Sequence, residues 1–134
     1  MTTTTITNIK LPEEWKLNLY KKEKIAALKK ERDTLEVSPI EYNGIAYDYD
    51  DKARERINAA IIALSDMGEN ARIGWTTTNN YNVMVTAKDL RKVIGNVAIR
   101  SNILHNAYRV AKEKVLEAKT KEEVDAVKLE VEVK

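Results

Sequence analysis

Few residues in this chain of 134 are suited to chemistry. It has one histidine, His105, and no cysteine, so the familiar zinc sites and Ser-His-Asp triads lack the residues they need. We interpret His105 as an ordinary residue of the surface or of the core boundary. The four glycines form no glycine-rich phosphate loop. We therefore expect a protein that is not an enzyme and that uses no cofactor and no metal ion.

An acidic cluster, Asp48, Asp50 and Asp51, could in principle bind calcium. It lacks the alternating oxygen ligands, the glycine and the terminal glutamate of an EF-hand loop. Capping of a following helix is the interpretation we favour, since aspartate suits the positive end of a helix. Arg54 and Arg56 could pair with these aspartates or lie on a partner surface, and we favour the pairing.

The composition argues against two classes of partner. Charged residues make up 33% of the chain, yet the net charge is only +2, which does not indicate a nucleic-acid binder. No apolar run approaches the roughly 18 residues of a membrane span. The first residues have no basic region followed by an apolar core, so they are not expected to be a secretory signal. We expect no nucleic acid and no membrane as partners.

Three main helices are predicted from apolar residues at helical spacing: 12–35, about 51–67 and 87–118. The last would be roughly 48 Å long as one continuous helix. A capping-box pattern at Thr120 predicts a short fourth helix, and the alternating residues 128–134 could form a strand.

Two β-hairpins are predicted between these helices. Asn43-Gly44 separates short β-prone runs and is the strongest local hairpin signal. A second hairpin should turn at Asn79-Asn80, and its Trp75 is expected to be a core anchor rather than a ligand platform. The fold class is therefore α+β, with three main helices, one of them long, and two β-hairpins forming a small antiparallel sheet. The side chains expected to be buried are Ile57, Ile61, Leu64, Trp75, Val83, Val85 and Leu90.

The domain division predicted is a flexible or extended N-terminal arm over 1–11, followed by a single α+β interaction domain over 12–134. The long helix carries a heptad stripe, whose members are Leu90, Ile94, Val97, Ser101, Leu104, Tyr108, Ala111, Val115 and Ala118. Apolar area that the sheet leaves uncovered should bind a partner. The alternative is that the helix 12–35 folds back and covers it. The candidate structural or interface residues are Trp15, Leu19, Trp75, Leu90, Ile94, Val97, Leu104 and Tyr108.

Four segments follow one another in a fixed order along the chain: Lys30–Glu36 with Ile40–Tyr47, Asp50–Ala60, Gly74–Asn80, and Val83–Leu90 leading into the long helix. Through these segments, residues 25–127 resemble a domain of unknown function found in bacteriophage tail, tail-fibre and fibre-assembly proteins. The order and spacing of the segments over most of the chain make the resemblance fairly specific.

This resemblance implies a setting and no reaction. It points to a non-enzymatic structural protein of a phage tail, an adaptor or attachment module near the baseplate or the fibres. The alternative is a tail-fibre assembly chaperone that binds a tail subunit transiently. The implied partners are other phage tail proteins, in a homo-oligomer or a hetero-complex. The implied location is the virion tail, with the host cytoplasm during assembly.

Overall fold

The computed structural model describes residues 12–131. The elements in chain order are α1 (Glu13–Glu36), β1 (Ile40–Tyr42), β2 (Ile45–Tyr47), α2 (Asp51–Met67), β3 (Ile73–Thr76), β4 (Asn82–Val85), α3 (Ala87–Glu117) and α4 (Lys121–Asp125). The predicted α+β class, with one long helix and two hairpins, is confirmed. The predicted arm 1–11 lies outside the described residues, as do residues 132–134.

Local side-chain caps explain where the helices begin. The carboxylate of Asp50 accepts a hydrogen bond of 2.8 Å from the Ala53 amide at the start of α2. At the start of α3, Thr86 Oγ1 accepts from the Asp89 amide at 3.1 Å, and Asp89 accepts from the Thr86 amide at 2.9 Å. These bonds satisfy amides that the first turn of a helix leaves without partners.

The first hairpin turns at Asn43 and Gly44, as predicted. Both residues have positive φ, 53° and 75°, which gives the turn the twist that a two-residue hairpin needs. The strands pair Ile40 with Tyr47, and both of these side chains are buried. The hairpin therefore contributes to the core as well as linking α1 to α2.

The second hairpin pairs Trp75 with Val83, and the left-handed Asn80 lies in its turn. The two hairpins do not merge: each forms its own two-stranded antiparallel sheet. They meet near their ends, where the Thr78 amide donates to the Ala46 carbonyl at 3.0 Å and the Thr78 hydroxyl donates to Asp48 at 2.8 Å. These bonds hold the hairpins together without a shared strand pair.

Two hydrophobic clusters lie along α3. The first joins the hairpins, α2 and the N-terminal half of α3, and its buried members are Ile40, Tyr47, Ile57, Leu64, Trp75, Val85, Ala87, Leu90, Val93 and Val97. The second joins α1, α4 and the C-terminal part of α3, and its buried members are Leu28, Ala111, Val115, Ala118, Val124 and Val127. The long helix is thus the element that unites the domain.

Two expectations from the sequence need correction. Ile61 and Val83 are only partly buried, at the edge of the first cluster. The C-terminal strand is absent from the described part of that segment, because residues 127–131 have no regular secondary structure. Val127 packs in the second cluster, so its contacts with helices hold this segment in place of a strand partner.

Candidate interaction surfaces

The heptad stripe of α3 faces the inside of the domain. Leu90, Val97 and Leu104 are 0%, 7% and 1% exposed, and Ile94 is partly buried against the first cluster. Along the C-terminal part of the stripe, Leu28 of α1 packs with Ala111 and Val115 in the second cluster. The alternative interpretation, in which the N-terminal helix folds back over the stripe, is therefore confirmed.

Contacts along α1 show that it runs antiparallel to α3. Near the N-terminal end of α1, the Lys21 ammonium donates to the Leu116 carbonyl at 2.8 Å. Further along, the Arg32 guanidinium lies 4.6 Å from the centre of the Tyr108 ring, which gives the partly buried Tyr108 a cation–π contact. Tyr108 is thus a packing residue between the two helices.

A polar cluster joins the C-terminal end of α1 to the middle of α3. Arg100 donates from one terminal nitrogen to the Glu36 carbonyl at 2.9 Å. Its other terminal nitrogen donates to the Pro39 carbonyl at 2.9 Å and to Ser38 Oγ at 3.1 Å. Burial lowers the pKa of the Arg100 guanidinium, and the Glu36 carboxylate opposes that effect. A cation here suits the negative end of the α1 dipole.

His105 lies at the edge of this polar cluster. Its Nε2 atom is 3.2 Å from Glu36 Oε1, and 57% of the His105 side chain is exposed. The same carboxylate oxygen accepts a hydrogen bond of 3.0 Å from the Ser101 hydroxyl. The prediction that His105 is a surface or boundary residue is confirmed, and its side chain forms a polar contact between α3 and α1.

The acidic cluster is used for structure. Asp50 caps α2, Asp48 accepts from Thr78, and Asp51 lies 3.8 Å from Arg54. Within residues 12–131, no group of three or more His, Cys, Asp or Glu side chains is placed to hold a metal ion. Arg56, which we expected to pair with an aspartate, instead lies 5.1 Å from the centre of the Trp75 ring.

Asp89 connects the capping box of α3 to the first hairpin. The Tyr42 hydroxyl donates to Asp89 Oδ1 at 3.2 Å. Hydrogen bonding by the Thr86 amide lowers the pKa of the Asp89 carboxyl, and the Thr86 and Tyr42 hydroxyls act in the same direction. Burial and the nearby Asp89 raise the pKa of the Tyr42 phenol. This carboxylate therefore stabilises both the start of α3 and the position of the hairpin.

An exposed apolar pair, Trp15 and Leu19, lies near the N-terminal end of α1. The two side chains are 59% and 53% exposed, and their four-residue spacing places them on one side of the helix. Leu17 and Tyr20 on another side pack against the second cluster. Within the domain, this part of α1 is held on one side and leaves Trp15 and Leu19 facing outwards.

A second exposed apolar surface lies on α3, on the side opposite the heptad stripe. We call Ile99, Ile103 and Val110 the outer face. Ile99 and Val110 are 62% and 40% exposed, and Ile103 is partly buried. The outer face borders a groove of about 530 Å³ that Lys128 and Glu130 also line. The longer heptad stripe dominates the sequence pattern of α3 and obscures this face, although the four-residue spacing of Ile99 and Ile103 is present in the sequence.

The comparisons with known proteins give one match. Residues 20–128 match the family described as "Domain of unknown function (DUF4376)". The chain belongs to this family. No curated protein and no solved structure shows a significant match to the chain.

Only one of the two exposed surfaces lies within the DUF4376 match. The match includes both hairpins, α2, α3 and α4 in full, and it enters α1 at Tyr20. The outer face therefore lies within the DUF4376 region, whereas Trp15 and Leu19 precede it. In the part of the chain that the structure describes, no helix is long and apolar enough to cross a membrane.

Proposed function

We propose that this DUF4376 protein is a non-enzymatic structural adaptor of a bacteriophage tail, and that it holds another tail protein near the baseplate or the fibres. The observation that carries the proposal is the exposed pair Trp15 and Leu19 on α1. The phage setting rests on the resemblance of residues 25–127 to domains of tail and fibre-assembly proteins. The adaptor role rests on the geometry of α1.

Trp15 and Leu19 have the chemistry of an interface anchor. Tryptophan is among the residues most enriched at the energetic centres of protein interfaces. Two large apolar side chains four residues apart on a helix match the way an amphipathic helix binds a hydrophobic groove. We infer that the partner offers an apolar groove to this end of α1.

The same end of α1 is anchored before any partner binds. The Tyr20 hydroxyl donates to Asp125 of α4, and the Lys121 ammonium lies 4.8 Å from the centre of the Tyr20 ring. On the adjacent turn, Lys21 donates to the Leu116 carbonyl. Because these contacts already order the helix, binding through Trp15 and Leu19 loses less conformational entropy than it would from a disordered segment.

Complementation of a phage that lacks this gene tests the proposal. Trp15→Glu and Leu19→Glu should block assembly of complete tails, scored by infectious titre and by electron microscopy, while the purified variants keep the wild-type circular dichroism spectrum and melting temperature. The matched control is Met67→Glu, because Met67 of α2 is 69% exposed and is far along the chain from Trp15. The control should support normal titres.

Mass spectrometry of purified particles separates a component from a transient factor. The proposal expects the protein in the particle at a fixed ratio to other tail proteins. Its presence in infected cells and absence from particles would contradict the adaptor role and favour the assembly chaperone. Normal tails from both glutamate variants would show that Trp15 and Leu19 do not form the contact.

A further inference from the structure

The long helix α3 is apolar on two opposite sides, and the domain buries only the heptad stripe. Ile99, Ile103 and Val110 of the outer face are separated by four and seven residues, so they lie along one line of the helix. Ile99 is 62% exposed and Val110 is 40% exposed. A helix of a single small domain ordinarily places polar residues on the side away from the core. The exposed apolar side chains on this side of α3 therefore indicate a surface that binds a partner.

Charged residues of opposite sign lie at the two ends of the outer face. Lys92 precedes Ile99 by seven residues, and Glu117 follows Val110 by seven. Both side chains are exposed, and the heptad spacing places them on the same side of α3 as the apolar residues. The apolar residues of the outer face are thus flanked by Lys92 on the N-terminal side and by Glu117 on the C-terminal side, where Lys114 also lines the adjoining groove.

We propose that the partner of the outer face is a second copy of this chain, with the two α3 helices antiparallel across a twofold axis. If the axis passes between Leu104 and His105, Ile99 faces the partner's Val110, and Lys92 faces the partner's Glu117. Such an interface uses the same patch on both copies, as a twofold dimer requires. In this register Ile103 faces the partner's Asn106, so the Ile99–Val110 and Lys92–Glu117 pairs are the ones that match, apolar with apolar and basic with acidic.

The charges select this arrangement over a parallel one. In a parallel pair, Lys92 would face the partner's Lys92 and Glu117 would face the partner's Glu117, and both contacts are repulsive. In the antiparallel pair, two symmetry-related attractive contacts replace them. The groove beside the outer face, bordered by Lys128 and Glu130, gives the neighbouring side chains of the second copy a place to pack.

This inference goes beyond the proposed function and does not depend on it. The tail adaptor role concerns Trp15 and Leu19 on α1, whereas the dimer concerns α3. A monomeric protein could still join tail parts, and a dimer could form in any setting. The two proposals are therefore tested by different variants and by different measurements.

Sedimentation equilibrium of the full chain, at roughly 5–200 µM because an interface of one helix face is small, tests the dimer. Wild-type protein should dimerise, and Ile99→Glu should be monomeric throughout that range with an unchanged circular dichroism spectrum. Ile62→Glu is the matched control, since Ile62 of α2 is 67% exposed and lies outside the outer face, and it should dimerise normally. A monomeric wild type, or an Ile99→Glu dimer of unchanged affinity, would overturn the proposal and leave the outer face to a different protein.

Charge reversal tests the antiparallel register. Lys92→Glu and Glu117→Lys should each raise the dimer Kd by roughly 10-fold or more, because each change affects two symmetry-related pairs. Mixing these two variants should restore wild-type affinity in the heterodimer, where Glu at position 92 meets Lys at position 117 and the native Lys92 meets the native Glu117. The double variant should also recover. Failure of both the mixture and the double variant to recover would overturn the antiparallel arrangement.

Discussion

Arg100 on α3 donates a hydrogen bond of 2.9 Å to the main-chain carbonyl of Glu36, the last residue of α1. The two residues are 64 apart in the sequence. The bond joins a cation to a helix end whose carbonyls lack partners within the helix. Arg100 thereby holds the C-terminal end of α1 against the middle of α3.

Arg100→Ala should lower the free energy of unfolding by about 2–3 kcal/mol, because it leaves the partly buried Glu36 carbonyl and Ser38 hydroxyl without their charged donor. The free energy of unfolding of Arg100→Lys should lie between those of Arg100→Ala and the wild type, since an ammonium cannot form the two-pronged hydrogen bonds of the guanidinium. Urea unfolding measures both. Arg109→Ala is the control: Arg109 forms an exposed pair with Glu113 and should cost at most about 0.5 kcal/mol. Equal midpoints for Arg100→Ala and Arg109→Ala would refute this role.

Asp89 should make folding stability depend on acid pH. Its folded-state pKa is lowered, chiefly by the Thr86 amide, so its contribution is present above the unfolded-state pKa of about 3.9 and is lost as pH falls through the folded-state value. Asp89→Asn should cost about 0.5–2 kcal/mol at pH 7. The difference from wild type should shrink steadily as pH falls below the unfolded-state pKa of about 3.9. Urea unfolding across this pH range checks it, with the exposed Glu55→Gln as a control that should follow the wild type. A difference that stays constant with pH would contradict the prediction.

Gly44 and Gly95 should respond to alanine with opposite signs. Gly44 has φ of +75°, although no atom would obstruct an added Cβ. Gly44→Ala should therefore destabilise by about 1 kcal/mol through backbone strain alone. Gly95 lies inside α3 with open space for a Cβ, so Gly95→Ala should stabilise by about 0.5–1 kcal/mol. The melting temperatures of the two variants test this prediction, and a change in the same direction for both would contradict it.

The two tryptophans should report different environments. Trp75 is 7% exposed and Trp15 is 59% exposed. The emission of Trp15→Phe, which retains Trp75, should be blue-shifted and resistant to iodide quenching. Trp75→Phe should show the red-shifted, readily quenched emission of Trp15. Trp75→Ala should also cost about 3–5 kcal/mol, as the loss of a large core side chain does. Equal quenching of the two single-tryptophan proteins would place Trp75 outside the core.

Turns and helix caps could be predicted from the sequence because the residues that form each of them are close in the chain. The Asn43-Gly44 turn needs two residues that tolerate positive φ, and both lie there at 53° and 75°. The capping box of Thr86 and Asp89 spans three residues. Each motif carries its own geometry, so α2, α3 and both hairpins could be predicted within one or two residues of where they lie.

The tertiary structure decided which surfaces remain for partners. The sequence of α3 holds two apolar faces, and nothing local determines which of them is covered. That depends on the path of α1, whose Leu28 packs on Ala111 and Val115 and whose C-terminal end is held by Arg100. Contacts over such separations require the whole chain to fold, because they are stable only when many form together. The folded domain therefore buries the heptad stripe and leaves Trp15, Leu19 and the outer face exposed.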